Sequence, residues 1–496
     1  VPRRLSVVAA VAAAMVTVTI APALAVSGGT GSYGFAAKLT ADGRACSGAL
    51  VAPAWVITAA SCFPENADGG SPAKDTTVVV GRSDLSTTNG VVAHVSTLVP
   101  DAGHTVMLAK LDKAATDIAP VTLTSAAPVA GTTVRLAGFG RTATEWLPNL
   151  LHTNTFTVGT VDAAQLVLQS PDSDACKGDA GAPAFQEVDG KSVLVGVTTS
   201  SLQHGCVGVE QPQQGTTEVR ADTLAAWIGQ QTAPQQISCT PATVWSQRDD
   251  GLLWKYVHNG PGDGSISWVT PTASVGSGWL GHLLAGPDGV VYDIHKNTGT
   301  ADPNPDGTLK RWVWTGTKWT GGGKVGSSWQ RYFTPEYVNR ITVDSQGRIF
   351  AIDTTGALRM YAWNNTTGTF DNPGGEVLGT GWAQYNSITA AGDGVLYARN
   401  PAGNLYRYQY SVATRTWLQR AELVGSGWQK FSEIFSPGGD VLYGRFFPTT
   451  SNAKLLWFRR DDRTDTWIEA TGKVVGSGWN TQLHVAADPS ACAPSN

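Results

Sequence analysis

Methionine, excess charge of either sign and long apolar runs are all scarce in this chain of 496 residues, and each scarcity excludes something. With Met 3 against Gly 57 and Trp 18, the composition favours many short strands joined by turns over long helices. A formal net charge of −4 gives no electrostatic reason to expect nucleic acid or an anionic membrane as partner. Beyond residues 1–25 no stretch is apolar enough to span a bilayer, so membrane insertion is not expected. Neither a cofactor nor a metal is expected.

What is there begins with Arg3 and Arg4, an apolar run over 5–20 and the small-residue segment Ala23-Leu24-Ala25, which read as a secretory signal over 1–25. A membrane anchor is the alternative, disfavoured by the short run, Thr17, Thr19 and Pro22. Secretion would place the six cysteines in an oxidising compartment, where three disulfides are the default; the residues alone leave their pairing open. Residues 26–231 read as one all-β unit, with alternating runs at 76–80 and 133–137. Near its end Leu224, Trp227 and Ile228 fall at i, i+3 and i+4, which predicts a helix. Residues 232–241, rich in Gln, Pro, Thr and Ser, read as a linker, and 242–496 as a second unit rich in tryptophan and glycine.

Three segments of the first unit resemble trypsin-like serine proteases. Thr58-Ala59-Ala60-Ser61-Cys62 is similar to the family's T-A-A-H-C, Thr105 to Leu111 to its D-I-A-L-L-K-L strand, and Gly178-Asp179-Ala180-Gly181 to its G-D-S-G nucleophile loop. Gly138-Phe139-Gly140 resembles the turn that opens the family's second barrel. The resemblance implies two six-stranded barrels with a cleft between them. It also shows the histidine, aspartate and serine positions filled by Ser61, Thr105 and Ala180, so that no nucleophile, base or orienting acid is left and no enzyme is expected. Losing the nucleophile alone removes on the order of a millionfold in turnover in a related triad enzyme. His94, His104, His152 and His204 sit in no nucleophile-plus-base pattern.

The same resemblance implies disulfides Cys46 to Cys62 and Cys176 to Cys206. It places Asp174 on the floor of the primary specificity pocket, Gly215 in its wall and the Gly178 amide in the oxyanion hole, and it makes Lys177, Gly178 and Ala180 the rim of a cleft for a partner peptide. Asp174 as a solvated leftover acid is the competing reading. The run 197–205 looks about two residues longer than the family's substrate-pairing strand. Asp179 is expected to pair with the ammonium group of Val26 once residues 1–25 are removed.

In the second unit Val275-Gly276-Ser277-Gly278-Trp279 recurs with its tryptophans at Trp329, Trp382, Trp428 and Trp479, a repeat of five units. Four strands per period predict a five-bladed β-propeller; an open solenoid would need capping repeats that are not there. The first period lacks an innermost strand and 482–486 is a spare one, so the chain's end should complete the first blade and Cys239 should bond Cys492 across the closure. This pattern resembles tachylectin-2-type lectins, which implies binding of N-acetylated hexosamines. The five repeat tryptophans are the candidates for stacking on sugar, with wedging between blades as the alternative.

An inactive trypsin-like unit joined to a lectin resembles the lectin-bearing component of the umbrella toxin particles that actinobacteria secrete. That resemblance implies a secreted, non-enzymatic targeting subunit, whose cleft docks a peptide of an adaptor protein while the propeller binds cell-surface carbohydrate. A stand-alone secreted lectin and a weak lectin-targeted protease are the rivals.

Overall fold

The computed structural model describes residues 32–495 apart from 104, 270–273, 298, 300–301 and 450–451. The signal segment, Val26 and His104 therefore lie outside the described residues. Tight turns set the first barrel's pairing. Asp42 and Gly43 both take positive φ, at 47° and 76°, and join the strands Ala36–Ala41 and Arg44–Ala52 in a two-residue hairpin. With Trp55–Ala59, Val106–Leu111, Val91–Pro100 and Thr77–Val80 these strands close into a barrel.

A second Asp-Gly turn, Asp189-Gly190, joins Pro183–Val188 to Lys191–Ser201 in the next barrel. Its ring is completed by Thr133–Gly138, His152–Val161, Gln165–Gln169 and Thr216–Arg220. Thr199 is the extra residue of a bulge, where Thr198 and Ser200 pair with consecutive residues of the facing strand, which absorbs part of the added length there. The one α-helix among the described residues, Ala221–Thr232, buries Leu224 and Ile228 against the first barrel's core, with Trp227 packed at its edge. No helix of the described residues is long and apolar enough to cross a membrane.

Beyond the helix the chain departs from the linker expected over 232–241. Ile237–Cys239 is a strand, paired antiparallel with Cys492–Pro494. Composition hides it because its partner among the described residues lies at the far end of the chain.

The second unit is a ring of five blades. Gln482–Ala487 pairs with Ala242–Arg248 as the innermost strand of the first blade, so the last segment of the chain closes the ring. The remaining inner strands are His282–Ala285, Ile341–Val343, Ser387–Ala390 and Phe431–Gly438. Blade three differs in carrying a separate small hairpin, Trp363–Asn364 with Thr369–Phe370, beside its outer strand Glu376–Gly379.

The two units meet through buried charge. Lys110, on a first-barrel strand, reaches out of its own unit to Asp462 at 2.8 Å and Glu422 at 3.2 Å, and all three are largely or fully buried. Arg460 bonds Glu422 at 2.7 Å, and Arg407 lies 3.3 Å from Asp462. Burial raises the pKa of Glu422; against the same burial, Arg407, Lys110 and Arg460 together keep Asp462 ionised. Around this centre Trp55 Nε1 donates to the carbonyl of Arg463, Thr97 Oγ1 to that of Leu418, and the Ser71 amide to that of Trp417.

Candidate functional site

The segments that carry Ser61, Thr105 and Ala180 lie beside one another. Ser61 is exposed in the short 3-10 turn Ala60–Cys62, whose first amide donates to the Thr105 carbonyl at 3.0 Å. The Ala180 carbonyl receives the Ser47 amide at 3.0 Å, and Gly181, at φ +84°, lies so close to Thr58 that any Cβ there would sit 2.1 Å from its hydroxyl. Segments of both barrels thus bring 61, 105 and 180 into one region, with an exposed serine at 61, a threonine at 105 and an alanine at 180. Thr105 is itself tied down: its amide and that of Val106 donate to Asp101 Oδ1 at 2.7 and 2.8 Å. The described histidines of this unit are engaged elsewhere, His94 with Asp75, His152 with Asp179 and His204 with the Gln211 carbonyl.

Asp174 is no solvated loop acid. It is 3% exposed, and its carboxylate accepts the Gly215 amide at 2.9 Å and the His204 amide at 3.1 Å. The carboxylate therefore clamps the 204–215 loop to the segment that leads to Ala180, beside the disulfide Cys176–Cys206. Cys46–Cys62 braces the 61 turn from the other side. Lys177 is exposed, and Gly178, at φ +106°, lets Gly140 approach to where a Cβ would meet its Cα at 2.7 Å.

Asp179 is buried among donors. Gly140 and Cys176 give it amides at 2.8 and 3.0 Å, and His152 stands 3.4 Å away. Burial alone would raise its pKa, but His152 and these amides outweigh it and hold the carboxyl below the ordinary range. One buried acid escaped the sequence reading. Glu218 has no exposure; burial, aided by the charge of Asp179, pushes its pKa well up against the effect of a 2.7 Å bond from Thr198 Oγ1. An acid in the β-branched run Thr216-Thr217-Glu218-Val219 was the available signal.

In the propeller the five repeat tryptophans do not offer a free face to sugar. They are 5–8% exposed, and neighbouring rings cover them: Tyr408 and Trp417 on Trp382, Phe458 and Trp467 on Trp428, Tyr256 and Trp268 on Trp479. Trp279 likewise meets Trp312 and Trp319, and Trp329 meets Tyr332 and Tyr361. Each amide donates to a turn of its own blade, from Trp279 to Gly251, Trp329 to Gly307, Trp382 to Gly356, Trp428 to Gly403 and Trp479 to Ala453. Each indole folds back over the first glycine of its repeat; a Cβ on Gly276, Gly425 or Gly476 would stand 2.7 Å from the indole nitrogen. This packing fits the alternative of wedging between blades, with each glycine leaving room for the indole.

A second tryptophan set was missed. Trp268, Trp319, Trp417 and Trp467 each donate Nε1 to the carbonyl of the repeat's first residue in the preceding blade, Val475, Val275, Leu378 and Val424, at 2.7–3.2 Å. Blade three has Phe370 at that place, which cannot donate. Its seam with blade two is also where a cavity of about 340 Å³ opens, lined by Trp329, Tyr361, Arg331, Asp353, Arg359 and Ser328 among others. Ser328 is telling. The corresponding residues of the other repeats are glycines at φ +79° to +82°, and only here does a side chain accept that conformation, at φ +68°. Asp353 and Arg359 pair at 2.6 Å, and Arg359 also holds the Gly374 carbonyl at 3.0 Å. Burial works to raise the pKa of Asp353, yet bonds from Thr355, Arg359 and the Ala357 amide hold it at about 2. Aromatic edges, a fixed ion pair and hydroxyls around a shallow cavity are the equipment of a site for a polar ring.

Double barrel and ring together define a trypsin-like domain carrying a five-bladed, lectin-type propeller. Comparison with known proteins agrees domain by domain: residues 27–228 match the trypsin family model and residues 247–484 the tachylectin family model. Among solved structures the chain is similar to neuropsin, a serine protease expressed in the limbic system of mouse brain, at 20% identity and a TM-score of 0.34, over 40% of this chain and 94% of that one. No curated protein matches the chain.

Proposed function

We propose that this is a secreted, non-enzymatic targeting subunit, in which the propeller binds cell-surface carbohydrate bearing N-acetylated hexosamine and the trypsin-like cleft docks a peptide of an adaptor protein in an antibacterial toxin particle. The observation that carries the non-enzymatic half is the convergence of Ser61, Thr105 and Ala180 in a cleft whose supporting bonds are intact. Asp174, clamped to the Gly215 and His204 amides, braces the loop beside Ala180, and an alanine at 180 offers no nucleophile for cutting a docked chain. The lectin half is supported by the tachylectin match and by the cavity beside Trp329.

Affinity capture on the tagged full chain from culture supernatant tests the dock. A secreted partner is expected to be retained, and Ser61→Trp, which plugs the cleft from an exposed position, is expected to release it while the melting temperature holds. Capture unchanged by Ser61→Trp would place the dock elsewhere, and the absence of any retained partner would favour a stand-alone lectin.

A further inference from the structure

The largest cavity described, about 780 Å³, is one that neither domain makes alone. Its lip is the first-barrel segment Ser71, Pro72 and Ala73, and its walls come from the outer strands of blades three and four. We propose that this junction is a second carbohydrate site, specific for a sugar that carries a carboxylate, such as a hexuronic acid.

Charge gives the first reason. Two guanidinium groups, Arg415 and Arg420, line the cavity against one carboxylate, Glu376. Arg415 spends its charge on Glu376 at 2.9 Å; Arg420 is exposed and, among the described residues, makes no hydrogen bond or ion pair. An entering carboxylate would take Arg420 and share Arg415, and planar guanidinium suits it in both places. Glu376, Thr416 and the hydroxyl of Tyr410 then remain to read ring hydroxyls, with Trp417 and Val377 as the apolar wall.

Backbone strain gives the second. Arg415 occupies the tip of its blade's outer hairpin at φ +56°, where the matching position of blade three is Gly368 at φ +68°. Threonine hydroxyls bridge both tips in the same way, Thr414 to Thr416 and Thr367 to Thr369. Blade five carries Asp465 at this place at φ +56°, with Thr464 and Thr466 bridged alike, so the turn accepts glycine or aspartate, and arginine, the bulkiest of the three, is carried there at a conformational cost.

An acidic peptide is the other chemistry that two arginines could take. It is disfavoured because the outer edge of the blade-four strand is already spent: the Trp417 and Leu418 carbonyls receive Ser71 N–H and Thr97 Oγ1 from the first barrel, so an extended chain finds no free edge to pair with here.

Calorimetric titration of the full chain with glucuronic acid, its methyl ester, glucose and the dipeptide Glu-Glu tests the assignment. Saturable binding of glucuronic acid is expected, weakened tenfold or more by esterification and again tenfold or more by Arg420→Ala. Arg415→Gly should weaken it too, with a melting temperature equal to or above the parent's. Filling the lip with Ala73→Trp should abolish it. Equal binding of glucose, indifference to Arg420→Ala, or tighter binding of Glu-Glu than of glucuronic acid would overturn the proposal. N-acetylglucosamine titrated into the same variants reports on the Trp329 cavity separately, so failure at one site is distinguishable from failure at the other.

Discussion

At the scale of single residues, the sequence already singles out Ser61, Thr105 and Ala180, because they are embedded in local motifs that resemble the trypsin-like pattern. Restoring one atom should not restore function. Ala180→Ser returns a hydroxyl but leaves Ser61 and Thr105 in place of base and orienting acid, so peptide esters and amides of Lys or Arg are expected to show no turnover above buffer. The repeat glycines make a sharper residue-level test. Gly425→Ala would thrust a Cβ to 2.7 Å from the Trp428 nitrogen, whereas Gly427→Ala, two positions on, meets nothing within 4 Å and carries only the strain of φ +79°. Thermal melts should show Gly425→Ala losing about 1–3 kcal/mol, the larger effect of the two, by overpacking. What sequence could not give at this scale was Asp174's environment: whether an acid in a loop is solvated or clamped depends on amides at 204 and 215, some 30 to 41 residues away.

At the scale of elements, closure of the ring was legible and its seams were not. A missing first strand and a spare last one are visible as a count, and Gln482–Ala487 falls where that count puts it. The blade-to-blade bonds of Trp268, Trp319, Trp417 and Trp467 depend on which indole faces which carbonyl, which no periodicity encodes. Trp467→Phe is expected to lower stability by about 1–3 kcal/mol, since it removes the donor and leaves the Val424 carbonyl unpaired in the seam. The blade three loop carries a pH dependence. A carboxyl held at about 2 in the folded state and near its ordinary value when unfolded lends stability that is fully present above pH 4 and is lost as the pH falls toward 2. Melting temperature should decline across that window, and Asp353→Asn should flatten the decline. The supposed linker misled for a related reason: Ile237–Cys239 has a partner only in Cys492–Pro494.

At the scale of the whole molecule, the sequence separates two units and is silent on how they meet. Lys110 reads as the ordinary lysine of a trypsin-like strand; only the structure places it against Glu422 and Asp462 of the propeller. Methionine in its place would leave those carboxylates a cation short in a buried site, and Lys110→Met is expected to cost about 3–5 kcal/mol. The cost should appear as a lower melting temperature and as faster proteolysis at the junction, with no change in sugar affinity at the distant Trp329 cavity.

The central claim is that the propeller half binds an N-acetylated hexosamine while the trypsin-like half stays chemically silent, and its most direct test is calorimetric titration of the full chain with N-acetylglucosamine up to roughly 10 mM, a range that covers weak single sites. The account predicts saturable binding that falls in Ser328→Gly, a change that relieves backbone strain while removing a hydroxyl from the cavity. Absence of heat for the parent chain, or unaltered affinity in Ser328→Gly and in a Trp329→Ala variant that still melts cooperatively, would contradict it.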